Sequence, residues 1–251
     1  MIKFENFEVV GWEHALRGMR NPKNSWDRSD SNFEYACTDC KFGPKPCCDS
    51  CDASECEFRE AGATQIGPND YKLMMDLAKG GPVHAKYRRM IDVYVDITAP
   101  LYWWKEFDTY KVGTVSNSCS TMHKIHDKEF TLDDFSHEHL TDGSINLLKN
   151  IIEELNNWRR WYNRYDTLSE DNRGFTNGTI ACKKDIWWQM IQLLPSSYNQ
   201  KRTIKLNYEV LTNIYEWRNN HKLDEWVDFC KWIESLPYSE IITGEMESKG
   251  E

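Results

Sequence analysis

Residues 99–107 read Ala99-Pro100-Leu101-Tyr102-Trp103-Trp104-Lys105-Glu106-Phe107, and within them the chain turns from strand to helix. The preceding residues 91–97 alternate apolar and polar side chains, which is the period of a half-buried strand. Pro100 then occupies a position where a helix can begin, because the first helical residue needs no N–H donor. We therefore expect a strand that leads directly into an aromatic helix, with the functional site near the far end of that helix.

Composition limits the class of protein. The chain has 251 residues, enough for one large domain with a substantial core, and a net charge of −9. This charge argues against a nucleic-acid polymer as partner, because such a surface needs clustered Lys and Arg, whereas a single nucleotide needs only a local cation. The first residues lack the apolar segment of a secretory signal. No run approaches the roughly 18 apolar residues of a membrane span, so we expect a cytoplasmic protein with no membrane partner.

Hydrophobic periodicity predicts the other elements. The predicted strands are residues 1–10 and 203–206, and the predicted helices lie at 11–19, 69–78, 144–165, 185–194, around 211–215 and at 223–233. Residues 21–32 and 112–123 are polar and turn-rich and are predicted as loops; the second is either a linker or a loop that faces a ligand. With no internal repeat and no long linker, the chain is interpreted as one α+β domain over residues 1–242, followed by a charged tail at 243–251 that we expect to be disordered.

A cysteine-rich insertion at about residues 33–62 interrupts this pattern. Six of the nine cysteines lie within it, and Cys37-x-x-Cys40 and Cys48-x-x-Cys51 have the spacing of a structural zinc site. Four thiolates would leave no open coordination position for chemistry. The alternative is a disordered insertion that binds no metal.

Other motifs favour no common enzyme class. His123-x-x-His126 and His137-x-His139 fit no standard metal-ligand spacing, so exposed histidines in an acidic loop are the preferred interpretation. The chain also lacks a G-x-S-x-G elbow, a Walker loop and a G-x-G-x-x-G motif.

Two segments, taken together, resemble the flavin-dependent thymidylate synthases (the ThyX family). In that family a strand ends in Ala-Pro, an aromatic helix with Trp-Arg-Glu-Phe follows, and then comes Arg-His-Arg-x-x-Ser-x-Asn-x-x-Ser-x-Arg-Tyr. Residues 99–107 reproduce the helix closely. Downstream the family has Leu-Pro, then Asn-x-Arg-x-Leu opening a helix, then an Arg. The matching residues here, at very similar spacing, are Leu194-Pro195, Asn207, Leu211 and Arg218. The resemblance covers roughly residues 67–235.

The departures from the family pattern fall on charged positions. Thr109-Tyr110-Lys111 replaces Arg-His-Arg, and Glu209 replaces the arginine of Asn-x-Arg. Met90 stands at the position of a flavin-side His. The nucleotide-binding arginine of the following loop is absent, with Thr121 or Met122 in its place.

The register of that loop has two versions. An ungapped match pairs the family serines with Thr114 and Cys119. One inserted residue instead places Asn117, Ser120 and His123 on the family Asn, second Ser and Tyr, and this version is preferred because it recovers two identities.

The resemblance implies an α+β fold with a central antiparallel sheet flanked by helices. It implies reductive methylation of dUMP to dTMP, with FAD as cofactor and NADPH and methylene-tetrahydrofolate as co-substrates, in a homotetramer that shares its sites between subunits. Ser120 and Arg218 would act at the nucleotide, as catalytic and substrate-binding residues, with Lys105 and Glu106 at its edge. The residues implied along the flavin are His84, Thr109, Tyr110, Lys111, Asn117 and Asn207.

Two alternatives stay open. Loss of Arg-His-Arg removes positive charge from a site for phosphate-bearing ligands, which favours a diverged member. Such a protein would bind or modify another pyrimidine nucleotide, or bind a nucleotide without turnover. A zinc-stabilised interaction protein is the other alternative, and it depends on the cysteine segment alone.

Overall fold

The structure, a computed structural model, describes residues 2–33, 65–167 and 182–244. The chain divides into two units. Unit 1 comprises Met1–Phe7, Tyr94–Lys205 and His221–Phe229, and unit 2 comprises Glu8–Val93, Leu206–Asn220 and Cys230–Glu251. A single domain over residues 1–242 stays a prediction. The cysteine-rich insertion and the charged tail lie almost wholly outside the described residues.

A four-stranded antiparallel sheet is the central β element. Its strands are β1 (Lys3–Val10), β2 (Asp92–Pro100), β3 (Val115–Ser118) and β4 (Asn199–Asn207), in the order β1-β2-β4-β3. On β2 the alternation predicted from the sequence is present, because Val93, Val95 and Ile97 are buried while Tyr94 is exposed. The expected α+β fold with an antiparallel sheet and helices is confirmed.

Helices account for much of the remaining described chain. They are α1 (Trp12–Arg20), α2 (Pro68–Lys79), α3 (Leu101–Phe107), α4 (Thr121–Lys124), α5 (Asp142–Arg164), α6 (Lys183–Leu193), α7 (Tyr208–Arg218), α8 (Asp224–Glu234) and α9 (Glu240–Thr243). Short 3-10 turns lie at Asn21–Lys23, Trp26–Arg28, Lys86–Met90, Leu132–Asp134 and Tyr165–Thr167. Among the described residues, no helix combines the length and apolarity that crossing a membrane requires.

The prediction that residues 112–123 form a loop is wrong in part. Residues 115–118 pair with β4, where Asn117 lies opposite Thr203, and α4 begins after Ser120. Strand pairing supplies long-range hydrogen bonds to a segment whose small polar side chains carry no apolar periodicity, so the pattern does not mark it as a strand. For the same reason β4 begins at Asn199, earlier than predicted.

The N-terminus of α2 is capped by a side chain from a distant part of the chain. Gly67 is the N-cap and Pro68 is the first helical residue. Asp30 supplies the capping carboxylate from a distant loop, accepting from the backbone N–H of Asn69 at 2.9 Å and of Asp70 at 3.1 Å. A cap that comes from elsewhere in the chain leaves no local signal.

In the described part of unit 1, buried side chains form an aromatic group and a second, mixed apolar group. The aromatic group joins α3 to the first part of α8, with the rings of Trp103 and Trp226 at 4.8 Å and those of Trp103 and Phe229 at 5.7 Å between centroids. The second group lies between α5, α6 and the segment before α5, and consists of Ile125, Phe130, Phe135, Leu148, Ile152, Leu155 and Met190. Each fully buried large side chain contributes about 2 kcal/mol of burial free energy, so these groups account for much of the stability of unit 1.

Unit 2 contains a buried ion pair. Arg20 Nε lies 2.6 Å from Asp70 Oδ1, and both side chains are almost fully buried. The other Asp70 oxygen accepts hydrogen bonds from the hydroxyls of Ser29 and Ser31. Burial opposes ionisation of Asp70, but these hydrogen bonds and the nearby Arg20 outweigh it and lower the pKa of this carboxyl. Residues 29–31 of the polar segment 21–32, which was predicted as a loop, are therefore anchored to α2.

Candidate functional site

The aromatic rings of helix α3 are buried in the core of unit 1, whereas its charged side chains are reached by solvent. Trp103, Trp104 and Phe107 are at most 1% exposed, so none of them is available to stack on a ligand. Lys105 is exposed and Glu106 is partly exposed. These two residues, predicted at the nucleotide edge, therefore lie on the side of α3 that solvent reaches.

The carboxylate of Glu106 is held by α8 and the turn before it. Trp226 Nε1 donates a hydrogen bond of 3.0 Å to Glu106 Oε2, and His221 Nε2 lies 3.7 Å from the same oxygen. The backbone N–H of Leu223 donates to His221 Nδ1 at 3.2 Å, so a neutral His221 carries its ring proton on Nε2, towards Glu106. Sequence reasoning missed His221 because its partner is far away in the chain and no local motif contains it.

Residues 109–111 form the turn after α3 and differ in what they offer a ligand. Thr109 Oγ1 donates to the backbone oxygen of Glu106 at 2.7 Å, so its hydroxyl proton is already used. The ring of Tyr110 meets the ring of Trp226 edge-on, with 5.9 Å between centroids. Lys111 is exposed and is the cation that this turn presents to solvent.

Arg202 of β4 connects the C-terminal end of α3 to the sheet. Its NH1 lies 2.8 Å from Asp108 Oδ1, its Nε donates to Gln200 Oε1 at 3.0 Å, and its guanidinium lies 4.2 Å from the centroid of the Trp104 ring. Gln200 also donates to Thr121 Oγ1 at 2.9 Å. One network thus positions both the end of α3 and the start of α4.

Asn117 and Ser120 lie on the segment that runs along β4, and both are exposed. Asn117 is in β3, opposite Thr203. Ser120 is the N-cap of α4, where its Oγ accepts from the backbone N–H of His123 at 3.1 Å. A capping hydroxyl accepts one hydrogen bond and keeps its own proton to donate, so Ser120 can still donate to a ligand.

Unit 2 carries the other predicted site residues. Asn207 is buried and is the N-cap of α7, where its Oδ1 accepts from the backbone N–H of Val210 at 3.1 Å. Its amide nitrogen is therefore the group left for a ligand. Arg218 is the last residue of α7 and is partly exposed, and His84 is exposed in the turn after α2.

Glu209, at the position of the family arginine, lies between two arginines. Its Oε2 is 4.0 Å from Arg88 NH1 and its Oε1 is 4.0 Å from Arg89 NH2. The Arg88 side chain is buried, whereas 58% of the Arg89 side chain is exposed. Two cations against one carboxylate leave this position net positive, although the residue at 209 is acidic. Sequence reasoning missed Arg88 and Arg89 because the charge comes from a different segment.

Three cysteines lie in the described part of the chain. Cys119 and Cys182 are exposed free thiols, and burial raises the pKa of the Cys230 thiol to about 12, which keeps it protonated at neutral pH. Among residues 2–33, 65–167 and 182–244, no group of three or more His, Cys, Asp or Glu side chains could hold a metal ion. The zinc ligands predicted at Cys37, Cys40, Cys48 and Cys51 lie outside the described residues.

The histidines of residues 123–139 have separate surroundings, and His123 and His139 are exposed whereas His126 and His137 are partly buried. His126 lies beside the Tyr162 ring, with 4.5 Å between centroids. His139 Nε2 lies 2.8 Å from Asp224 Oδ2, and His137 Nδ1 lies 2.8 Å from a backbone oxygen.

The whole described architecture is similar to that of flavin-dependent thymidylate synthases. Thymidylate synthase X (ThyX) from Helicobacter pylori, solved with FAD and dUMP, matches with a TM-score of 0.57 and 14% identity over 98% of each chain. A second structure of the flavin-dependent ThyX from Helicobacter pylori, in complex with FAD and dUMP, matches with a TM-score of 0.54 and 15% identity over 97% of each chain. No family model and no curated protein sequence matches the chain. The chain therefore has the ThyX fold, as the sequence resemblance implies, and the likeness at this identity concerns the fold alone.

Proposed function

We propose that this protein is an FAD-dependent enzyme of the thymidylate-synthase type, which converts dUMP to dTMP with methylene-tetrahydrofolate and NADPH as co-substrates. The main support is the junction of β2 and α3. The segment 99–107 that carries the resemblance leads into an exposed set of polar groups, within a fold shared with proteins solved with FAD and dUMP.

The donor set of unit 1 suits a flavin dinucleotide chemically. Lys111 offers an ammonium group and Asn117 an amide, and both side chains are exposed. Such donors can meet the phosphates and the carbonyl edge of a flavin, although one ammonium replaces the two guanidinium groups of Arg-His-Arg. When bound, the flavin would supply the hydride for the reductive step.

The protein's own groups would bind and orient the nucleotide. Arg218 would hold the pyrimidine nucleotide, and Ser120 would donate a hydrogen bond beside it. Glu106, with its orientation set by Trp226, would accept from a donor at the edge of the nucleotide. Lys105 lies next to Glu106 on α3 and would add positive charge there.

Binding measurements test this proposal. Purified protein should take up FAD, with the flavin absorbance remaining after gel filtration, and should bind dUMP in calorimetry. Arg218→Ala should weaken dUMP binding roughly tenfold or more, because a charge-assisted hydrogen bond is lost. Arg17→Ala is the matched control, since Arg17 is an exposed arginine of the same unit and should leave dUMP affinity unchanged. Protein that takes up no FAD would exclude the flavin enzyme.

The second candidate function is that of a diverged nucleotide-binding protein. The lack of charge and the hydrogen bond of Thr109 favour it. The Thr109 hydroxyl donates its hydrogen bond to the backbone oxygen of Glu106 in α3. Unlike the arginine that the family has at this position, Thr109 carries no charge. This candidate predicts dUMP or another pyrimidine nucleotide bound without FAD uptake. The expected homotetramer can be checked in the same preparation by light scattering, and a monomer would contradict sites shared between subunits.

A further inference from the structure

A cavity of about 480 Å³ lies in unit 1, beside α4 and α6. Its lining consists of Met122, His123, Tyr162, Lys183, Lys184 and Trp187. Among the described residues, the lining contains two ammonium groups and one imidazole but no carboxylate. A concave site with aromatic walls and convergent cations suits an anion attached to a larger molecule.

Specific contacts give this cavity its shape. Trp187 Nε1 donates to the backbone oxygen of Met122 at 2.8 Å, which ties α6 to α4. The ammonium of Lys183 lies 4.7 Å from the centroid of the Tyr162 ring and pairs with Asp166. The next turn of α6 contributes Met190 to the core. The lysines therefore project from a packed helix.

Among the described residues that line the cavity, positive charge is in excess. Asp166 pairs with Lys183, whereas Lys184 and His123 are exposed. Even with a neutral His123, the site keeps the charge of Lys184. An ammonium on a flexible stem can follow a phosphate as a point charge, without the fixed geometry that a guanidinium imposes.

The positive charge of the cavity lies close to the position at which the family arginine is absent. By the sequence resemblance, the nucleotide-binding arginine of this loop is replaced by Thr121 or Met122, and Met122 lines the cavity. The lost cation is thus matched by two lysines that α6 brings to the same place. We propose that the cavity holds the phosphate of a pyrimidine nucleoside monophosphate, with Lys184 and Lys183 in the role of the missing arginine. This inference rests on the proposed function, since it takes a nucleotide as the ligand.

The test compares dUMP binding between single-lysine variants. Lys184→Gln should weaken dUMP binding roughly tenfold, because one charge-assisted contact to phosphate is lost, and should reduce the dependence of affinity on salt. Lys183→Gln should act in the same direction, and Lys183→Arg, which keeps the charge, should restore affinity. Lys149→Gln, at an exposed lysine of α5, is the matched control and should bind as wild type does. The ³¹P NMR shift of bound dUMP should change in Lys184→Gln and not in the control.

The outcomes separate this inference from the proposed function. If wild-type protein binds dUMP and FAD while both Gln variants keep wild-type dUMP affinity and the ³¹P shift, the cavity assignment is wrong and the proposed function stands. If wild-type protein binds neither dUMP nor FAD, the proposed function fails, and inorganic pyrophosphate becomes the probe. Pyrophosphate binding that Lys184→Gln weakens would keep the cavity as an anion site, and its absence would overturn that as well.

Discussion

Residues 99–107 and residues 109–120 are separated only by Asp108, yet they resemble the flavin-dependent thymidylate synthases to different degrees. The first segment matches the family pattern closely, and three of its rings are at most 1% exposed. The second departs from the pattern at its charged positions, and almost all of its residues are exposed. A buried ring is constrained by every neighbour it packs against, whereas an exposed side chain can change at little cost to stability. The difference teaches that the resemblance is closest where side chains are buried and weakest where charged positions are exposed.

Trp103→Ala should give the largest effect. Trp103 is fully buried against Phe107 and Trp226, so truncation leaves a large cavity and should lower the free energy of unfolding by about 4 kcal/mol. Urea denaturation followed by circular dichroism measures this. Lys105→Ala on the same helix is the control, with an expected change within about 0.5 kcal/mol. Similar losses in both variants would contradict the argument that buried rings are more constrained than exposed side chains.

Asp70→Asn tests whether the polar segment 21–32, which Asp70 anchors, contributes as much to stability as the aromatic segment 99–107 does. Removing one charge of the buried pair leaves Arg20 uncompensated, and stability should fall by about 3 kcal/mol. The pKa of Asp70 is lowered from its ordinary value of 3.8. The ionised carboxylate therefore stabilises the fold fully above that value, and the stabilisation is lost as pH falls through the lower folded-state pKa.

Urea midpoints between pH 2 and pH 6 measure this contribution. Wild-type protein should lose more stability in acid than Asp70→Asn does. Asp76→Asn, at an exposed position of α2, serves as control and should follow the wild-type curve. Parallel curves for Asp70→Asn and wild type would show that the ion pair contributes nothing.

Glu106→Ala tests a partly exposed side chain near the end of the first segment. It leaves the indole N–H of the buried Trp226 without its acceptor, which should cost about 2 kcal/mol in chemical denaturation. Glu106→Gln keeps an acceptor oxygen at the same place and should recover most of that loss. If both variants lose the same stability, the charge of Glu106, and not its hydrogen bond, is the stabilising factor.

Ser120→Ala should have the smallest effect on stability. It removes the cap of α4, a helix of four residues, so the expected loss is about 1 kcal/mol or less. Ser120→Asp keeps a capping oxygen and should be near wild type in thermal melting. A loss as large as that of Trp103→Ala would mean that the exposed segment is as tightly constrained as the aromatic helix.

Local patterns in the sequence account for several of these features. The alternation of residues 91–97 predicts β2, and the apolar residues of 144–165 predict α5 to within a few positions. The resemblance predicts the fold, and the two solved ThyX structures confirm it. The predicted roles of the site residues stay predictions.

Tertiary structure alone decides the rest, because the interactions join segments that are distant in the chain. Residues 115–118 become a strand only because β4 lies beside them. Glu209 lies in a net positive setting because Arg88 and Arg89 reach it from the turn before β2. Lys184 shares a cavity with Met122 because Trp187 ties α6 to α4. By itself, the sequence determines the elements whose stability is local, namely periodic strands and amphipathic helices. It leaves open where charges from different segments meet, and that meeting is what gives the candidate site its chemistry.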